Sequence, residues 1–375
     1  MKLPFPKTPA QLATWRTQPI RFGLHRANTH AGASVPFREP WGYLRYWIQD
    51  HYDKVGRADA LALAKQAESF YKIAVQAPSE TSPLLWYYCF LNLAKAFLLK
   101  TPGIYPPDNV EHATHGIAGP ANNNSGTGYV KLSKQTVSAY ATRTSSTPGR
   151  LQVFPALCDA LGTPIKISPG TTSTQLSIKH LLSHTVSIHR AFATAYRSPL
   201  RFCRVTAIAQ EHRKKSGKAG DLWHLLVLDV NDVRASGASI KKFEQPGTLT
   251  AVSPTRNTGT HMLEGACARF SNVNFLDKLA EQRTDLKRFV HPLLLPQGYR
   301  YYLYPDTMVL RQPCSIYAIM FYLGSIVRYQ PQRFSSLVGN KYRWLIEEFL
   351  QICPKQFVAL MVNEITDSEL PFFDK

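Results

Sequence analysis

The stretch that decides the fold is CSIYAIMFYLGSIVRYQPQRF, residues 314–334. It is apolar for about four helical turns and ends at Arg328, which Tyr329, Gln330 and Pro331 follow. A helix that is apolar on every face is typical of a protein core, and a proline disfavours continuation of a helix. The stretch therefore predicts a central, buried helix that ends near Arg328.

Arg328 is a cation at the carboxyl end of this helix, where it complements the helix dipole and can satisfy free carbonyl groups. Tyr329 and Phe334 can sandwich its guanidinium, and Glu347 and Glu348 are candidate ion-pair partners on the next helix. These neighbours favour a structural role for Arg328 and Tyr329 over the alternative, a phosphate-binding role for Arg328.

Further helical patterns lie at both ends of the chain. SPLLWYYCFLNLAKAFLL, residues 82–99, begins with a capping serine and an early proline and is apolar on nearly every face. The patterns at 39–52, 56–78, 340–354 and 355–365 are also helical. The middle of the chain contains short strand-like runs, and two of them, at 200–212 and 221–230, are joined by RKKSGKAG as a predicted hairpin with an exposed basic tip. Because neither helical end can bury its apolar surface alone, we expect the two ends to pack together.

The predicted fold class is α+β and mainly α-helical, with a helical bundle formed by the N- and C-terminal helices and a basic, β-containing middle region. The predicted organisation places an N-terminal arm and helices in 1–120, the mixed α/β middle in 121–300 and the C-terminal helices in 301–375. These parts are expected to form one compact unit.

The positive charge of the chain is concentrated in its middle. The formal net charge of the 375 residues is +19, and residues 129–218 contain 14 lysines and arginines against two acidic residues, Asp159 and Glu211. A surface of one sign repels itself unless a polyanion neutralises it, and phosphate backbones are common polyanionic partners. The distribution favours a nucleic-acid partner, DNA or RNA, over a basic surface that binds nothing.

The predicted contacts go to the nucleic-acid backbone, so we expect little base specificity. Phe192, Tyr196 and Phe202 lie between the cations in sequence and could stack the exposed bases of a single strand. The cations predicted to bind nucleic acid are Arg190, Arg197, Arg201, Arg204, Arg213, Lys214, Lys215 and Lys218.

Two alternative functions stay open from the sequence. The first is a metal-independent endoribonuclease, in which an arginine holds the scissile phosphate and a histidine acts on the 2′-hydroxyl proton. Its weak catalytic candidates are Arg45 with His51 in RYWIQDH and Arg256 with His261 in RNTGTH, and such spacings also occur by chance. The second alternative is a scaffold subunit whose basic surface binds an acidic protein.

No motif predicts a metal ion or a cofactor. The six cysteines are far apart and form no C-x-x-C pair, and no glycine-rich nucleotide loop is present. His112 and His115 in HATHG are interpreted as structural or surface histidines. His180 and His184, four residues apart, fit a basic helix that faces phosphates better than a metal site.

The sequence also leads us to expect a cytoplasmic protein without a membrane partner. The first residues, MKLPFPKTPAQLATW, lack the apolar core of a secretory signal. The uncharged, apolar run at 312–327 is shorter than the roughly 20 residues that a membrane span needs.

Three stretches resemble the YaaC-like family of bacterial proteins: residues 82–99, the THG tripeptide at 114–116, and GSIVRYQPQRF…WLIEEFL…NEI within 324–365. The resemblance covers most of the chain and carries no settled activity. The helix at 82–99 is also similar to the buried, aromatic-rich helix of HEPN domains, which implies a helical bundle more than a nuclease. A role in defence against foreign DNA or RNA would suit a protein that binds or cleaves nucleic acid.

Overall fold

The structure is a computed structural model that divides the chain into two compact units. One, here called the helical unit, comprises Phe37–Ser198, Val309–Thr366 and Phe372–Lys375. The other, the sheet unit, comprises Met1–Pro36, Pro199–Met308 and Asp367–Pro371. The structure describes residues 10–12, 14–15, 18–19, 40–100, 113–119, 128–133, 151–166, 168–214, 220–244, 250–252, 261–270, 284, 286–296, 298–305, 310–338 and 342–369.

Three helices from the first part of the chain build one side of the helical unit: α1 at Pro40–His51, α2 at Lys54–Gln76 and α3 at Ser82–Leu98. A proline in its first turn favours the start of α3, since that position needs no backbone N–H. Of the 17 residues of α3, 13 are buried. The predicted central position of this helix is therefore confirmed.

The last part of the chain supplies three more helices: α8 at Gln312–Tyr329, α9 at Pro331–Val338 and α10 at Arg343–Thr366. The two helical patterns predicted at 340–354 and 355–365 form one helix, α10, which continues through Pro354. Of the 18 residues of α8, 14 are buried. It ends at Tyr329, as the position of the following proline predicts.

Helix α3 packs against both α8 and α10. The rings of Phe90 on α3 and Phe357 on α10 stack with centroids 3.9 Å apart. At Gly324, an added Cβ would lie 3.3 Å from the carbonyl oxygen of Pro83 and 3.4 Å from the Cβ of Tyr87, so the glycine allows α8 to approach α3 closely. The expected bundle of N- and C-terminal helices is thus present.

The first part of the middle region belongs to the helical unit. Its helix α4, Val153–Ala160, buries most of its side chains and contacts both α3 and α8, with Phe154 stacked on Tyr317. This part of the chain therefore joins the helical unit, because the apolar surface of α4 packs into the bundle. The remaining elements of this part are β4 at Tyr129–Ser133, β5 at Ser173–Ser177, α5 at Ile178–Ser183, a 3-10 turn at Val186–Ile188 and α6 at His189–Tyr196.

The sheet unit is built on an antiparallel sheet with the strand order β10-β11-β6-β7-β9-β8, in which β1 also pairs with β6. The two strands of the predicted hairpin are paired, with Arg213 on β6 opposite Asp221 on β7, whereas the predicted tip at 215–219 lies outside the described residues. The strands are β1 at Ala10–Leu12, β6 at Cys203–Lys214, β7 at Gly220–Leu228, β8 at Thr250–Val252, β9 at His261–Phe270, β10 at Val290–Leu295 and β11 at Gly298–Leu303.

The core of the sheet unit lies under β6, β7 and β10, where Cys203, Leu226 and Val290 are buried together with Phe243. Short helices cover this core: α7 at Val230–Ala235 and a 3-10 turn at Ile240–Phe243. A separate pair of short strands, β2 at Thr14–Trp15 and β3 at Gln18–Pro19, completes the described elements.

The chain is therefore an α+β protein that is mainly α-helical, as predicted. Within the described ranges, none of the helices combines the length and the apolar character that crossing a bilayer requires.

Phe357→Ala tests the contact between α3 and α10. Because Phe357 is fully buried and stacks on Phe90, we expect the variant to lose about 3–5 kcal/mol of unfolding free energy, measured by urea denaturation. Tyr46→Ala removes a ring that is 63% exposed and is expected to cost less than about 1 kcal/mol. Equal losses in the two variants would contradict the assignment of Phe357 to the core.

Candidate functional site

Arg190 and Arg197 are the two predicted phosphate-binding cations of the helical unit. Arg190 lies in the first turn of α6, and Arg197 caps its carboxyl end with a left-handed backbone (φ of 49°). Seven residues correspond to about two helical turns, so the two side chains start from nearly the same side of α6. Both are exposed, and neither forms an ion pair with a carboxylate of the described residues.

The cations of the sheet unit have a different environment. Arg201 donates a hydrogen bond to the hydroxyl of Tyr304 at 2.9 Å, and Arg204 forms an ion pair with Asp229 at 3.2 Å. Arg213 and Lys214 end strand β6, whereas Lys215 and Lys218 lie outside the described residues. The predicted cations are therefore divided between the two units, and two of them already have acceptors.

The aromatic residues near these cations are mostly part of the core. Phe192 and Phe202 are buried, with Phe202 packed against His291 and Tyr304. Tyr196 is half-buried and stacks on Tyr342 with centroids 4.8 Å apart. The Nζ of Lys179 lies over the Tyr196 ring, 4.5 Å from its centroid. Of the three rings predicted to stack bases, Tyr196 keeps the most accessible surface.

Both members of the arginine–histidine pair on α1 have contacts with other residues. Arg45 forms an ion pair with Glu68 of α2. His51 stacks on the ring of Trp47 with centroids 3.6 Å apart, and its Nδ1 lies 3.2 Å from the carbonyl oxygen of Trp47. In the second candidate pair, His261 is the first residue of β9. Its partner Arg256 lies outside the described residues.

The rings of His180 and His184 contact each other, and His184 also contacts the backbone. Their rings lie 4.1 Å apart, and the Nδ1 atom of buried His184 lies 2.8 Å from the carbonyl oxygen of His180. In the part of the chain that the structure describes, no three histidine, cysteine or acidic side chains gather as a metal site would require. His112 lies outside that part.

A cleft of about 440 Å³ opens in the helical unit beside α3 and α8. Its walls are largely aromatic, its polar groups include one guanidinium and one imidazole, and none of the described residues that line it is acidic. We call it the aromatic cleft. Its lining residues are Leu84, Tyr87, Tyr88, His115, Gly119, Phe321, Gly324, Ser325, Arg328, Tyr329 and Gln330.

The segment 113–119 brings His115 to the aromatic cleft. Gly116 has a φ of 70°, and an added Cβ there would lie 2.6 Å from the Cδ of Pro155, so glycine is required on both steric and conformational grounds. The segment is tied to its neighbours by the hydrogen bond from Thr114 N to Leu151 O at 2.7 Å and by the bridge between Ala118 and Lys131. The backbone around His115 is thus held on both sides.

The imidazole of His115 is anchored by a chain of hydroxyl groups. Its Nδ1 lies 2.6 Å from the Tyr87 hydroxyl, which in turn lies 3.5 Å from the hydroxyl of Tyr317. Phe321 packs against both the Tyr87 ring and the imidazole. His115 nevertheless keeps part of its surface accessible to solvent. One ring nitrogen is therefore fixed, and the other is free to meet a ligand in the cleft.

Burial and two nearby cations control the protonation of His115. Loss of solvent lowers the pKa of His115 below its ordinary 6.5, and the positive charges of Lys95 and Arg328 lower it further. Burial also lowers the pKa of Lys95 and raises the pKa of Tyr87, and Tyr317 adds to the effect on Tyr87. At neutral pH the site therefore holds a neutral imidazole and a protonated tyrosine.

Arg328 lies in the last turn of α8 at the aromatic cleft. The predicted contact with Tyr329 is present, since the guanidinium carbon lies 4.9 Å from the ring centroid. The expected acidic partners are engaged elsewhere: Glu347 accepts from Arg343, and Glu348 accepts from Trp344. Arg328 is exposed and pairs with no carboxylate among the described residues. A structural role for it stays a prediction.

The sequence does not reveal that His115, Tyr87 and Arg328 share one cleft. They are widely separated along the chain, and His115 stands in a loop without a recognisable spacing to either partner. The sequence feature that points to His115 is the THG tripeptide at 114–116, because a glycine directly after a histidine suggests a fixed backbone position.

Lys95→Met tests the electrostatic control of His115. Removing a nearby positive charge favours the protonated imidazole, so we expect the pKa of His115 to rise toward its ordinary value. Titration of the imidazole signals by NMR measures this shift. Lys65→Met removes an exposed lysine of α2 and should leave the titration of His115 unchanged; a fall in the pKa of His115 in Lys95→Met would contradict the assigned cause.

Comparison with known proteins supports the family suggested by the sequence. A family model described as YaaC-like Protein matches residues 38–365. No curated protein and no solved structure matches the chain. The similarity of α3 to the HEPN helix gains no support from these comparisons and stays a prediction. Because the matched residues cover most of the chain and both helical ends of the bundle, the protein belongs to the YaaC-like family.

Proposed function

We propose that the protein binds nucleic acid through the phosphate backbone, with little sequence specificity, and that the aromatic cleft holds one unstacked nucleotide. The observation that carries this proposal is the composition of the cleft: aromatic rings, one unpaired guanidinium and no acidic side chain among its described lining residues. A nucleotide offers a flat base and a negatively charged phosphate, which match these two kinds of group.

The aromatic rings favour a base as the neutral part of the ligand. Tyr88, Phe321 and Tyr329 line the cleft, and Tyr329 is 69% exposed. Every base has a π face, so stacking on tyrosine or phenylalanine contributes to affinity without selecting a sequence. A volume of about 440 Å³ also lies within the usual range for small-ligand pockets.

The cations favour a phosphate as the charged part of the ligand. Arg328 pairs with no described carboxylate, and a planar guanidinium can bind two phosphate oxygens at once. Arg190, Arg197 and Lys179 add exposed positive charge to the same helical unit. Because the net charge is +19, the long-range field also attracts a polyanion.

Affinity for a single-stranded oligonucleotide should fall steeply as salt is raised, because each neutralised phosphate releases counterions. For Arg328→Gln we expect weaker binding and a plot of log K against log salt that is shallower by about 0.7, the contribution of one phosphate contact on a single strand. Filter binding over a salt series measures both. Arg343→Gln, which removes an exposed arginine paired with Glu347, is the matched control.

A flat salt dependence would contradict backbone-directed binding. If the protein ignores nucleic acid altogether but co-purifies with an acidic protein, the scaffold function takes the place of this proposal.

Tyr329→Ala tests base stacking separately from charge. Loss of one stacking ring is expected to weaken single-strand binding by about 1–3 kcal/mol while the salt dependence stays the same. Tyr46→Ala removes a comparably exposed tyrosine of α1 and should leave affinity unchanged. If Tyr329→Ala bound as tightly as the wild type, the cleft would not be the site of stacking.

A further inference from the structure

We propose that the aromatic cleft cleaves RNA, with His115 removing the proton from a 2′-hydroxyl and Arg328 stabilising the charge on the adjacent phosphate. This inference rests on the proposed function, since it requires that the cleft binds a nucleotide. It differs from the two arginine–histidine pairs suggested by spacing in the sequence, because its residues converge only in the folded helical unit.

His115 has the arrangement that a general base requires. When Nδ1 carries the hydrogen, it donates to the Tyr87 hydroxyl 2.6 Å away, and that hydroxyl can donate to Tyr317. This tautomer leaves a lone pair on Nε2. Tyr87 is a positioning residue in this scheme, because its hydroxyl holds Nδ1 and thereby orients the imidazole.

The charges around His115 keep the base in its active form. The titratable and charged groups that act on it are Tyr87 and Lys95 from α3 and Arg328 from α8, and Tyr317 of α8 is reached through the hydroxyl of Tyr87. The two cations oppose protonation of the imidazole, and the two hydroxyls stay protonated because of their burial. A neutral imidazole at physiological pH can accept a proton.

Arg328 supplies the positive charge that the transition state needs. As the 2′-oxygen attacks phosphorus, negative charge grows on the non-bridging phosphate oxygens, where a guanidinium can donate two hydrogen bonds. No acidic side chain among the described lining residues competes for Arg328. The same residue that binds the phosphate in the ground state can therefore bind it more strongly during the reaction.

The reaction is an internal transesterification. The 2′-oxygen loses its proton to Nε2 of His115 and forms a bond to phosphorus while the bond from phosphorus to the 5′-oxygen breaks. The departing 5′-oxygen takes up a proton from solvent. The protonated His115 releases its proton to solvent, and the neutral base is restored. The products are a 2′,3′-cyclic phosphate and a 5′-hydroxyl, so the step needs no metal ion, oxidant or co-reactant.

The test compares one RNA oligonucleotide with its 2′-O-methyl counterpart, which can bind but lacks the nucleophile. In EDTA, the wild-type protein should bind both and cleave only the RNA, leaving 2′,3′-cyclic phosphate ends. His115→Asn keeps a group able to hydrogen-bond Tyr87 and should lower the cleavage rate about 10²–10⁴-fold. Its affinity for the 2′-O-methyl strand should be retained. Lys65→Met, which removes an exposed lysine of α2 and is purified in the same way, should cleave like the wild type.

The pH dependence gives a second readout that a purely structural histidine would not produce. The rate should rise with pH as His115 loses its proton, and Lys95→Met should move this rising limb to higher pH, because it removes a charge that opposes protonation. Tyr87→Phe should lower kcat much more than it changes the affinity for the 2′-O-methyl strand.

The inference is overturned if the wild type binds the RNA and leaves it intact, if the products carry 3′-hydroxyl ends, or if His115→Asn cleaves as fast as the wild type. Each of these outcomes leaves the proposed binding function in place. Failure to bind either strand contradicts the binding function as well. If His115→Asn does not fold, the product ends and the shift of the pH profile in Lys95→Met still decide between the outcomes.

Discussion

The close contact between α3 and α8 is the constraint on which the rest of the helical unit depends. Gly324 favours it, because a Cβ there would lie 3.3 Å from the Pro83 carbonyl oxygen and 3.4 Å from the Cβ of Tyr87, a tight contact that the two helices would have to relieve. Interiors are packed tightly enough that such contacts decide how two helices sit against each other. With α8 held along α3 in this way, the last turn of α8 and the Tyr87 face of α3 line the same cleft.

The imidazole reaches that cleft through a second steric constraint. Gly116 adopts a left-handed backbone next to Pro155, a position that a larger residue could occupy only with strain. The turn leaves His115 against Tyr87, in a neighbourhood that combines partial burial with two positive charges. The cleft brings a neutral base, an exposed guanidinium and several aromatic rings together, which is why we assign the proposed function to the cleft and not to the basic hairpin.

Net charge by itself is a poor guide to which cations are available. Arg311 is buried in an ion pair with Glu364, Arg45 pairs with Glu68, and Arg204 pairs with Asp229. These arginines connect elements of the fold. Because a carboxylate neutralises each of them, they attract an anionic ligand only weakly. Arg190 and Arg328 have no such partner among the described carboxylates, so the geometry separates cations that stabilise the fold from cations that can meet a phosphate.

The sequence by itself determined the fold class, the buried helices at 82–98 and 312–329, their packing into one bundle, and the hairpin at 203–228. It could do so because apolar periodicity, glycine and proline act within a few residues. Only the tertiary structure decided that the first part of the basic middle joins the helical unit, and that His115, Tyr87 and Arg328 meet. Those outcomes depend on which side chains fill the space between distant helices, and neither spacing nor composition along the chain records that.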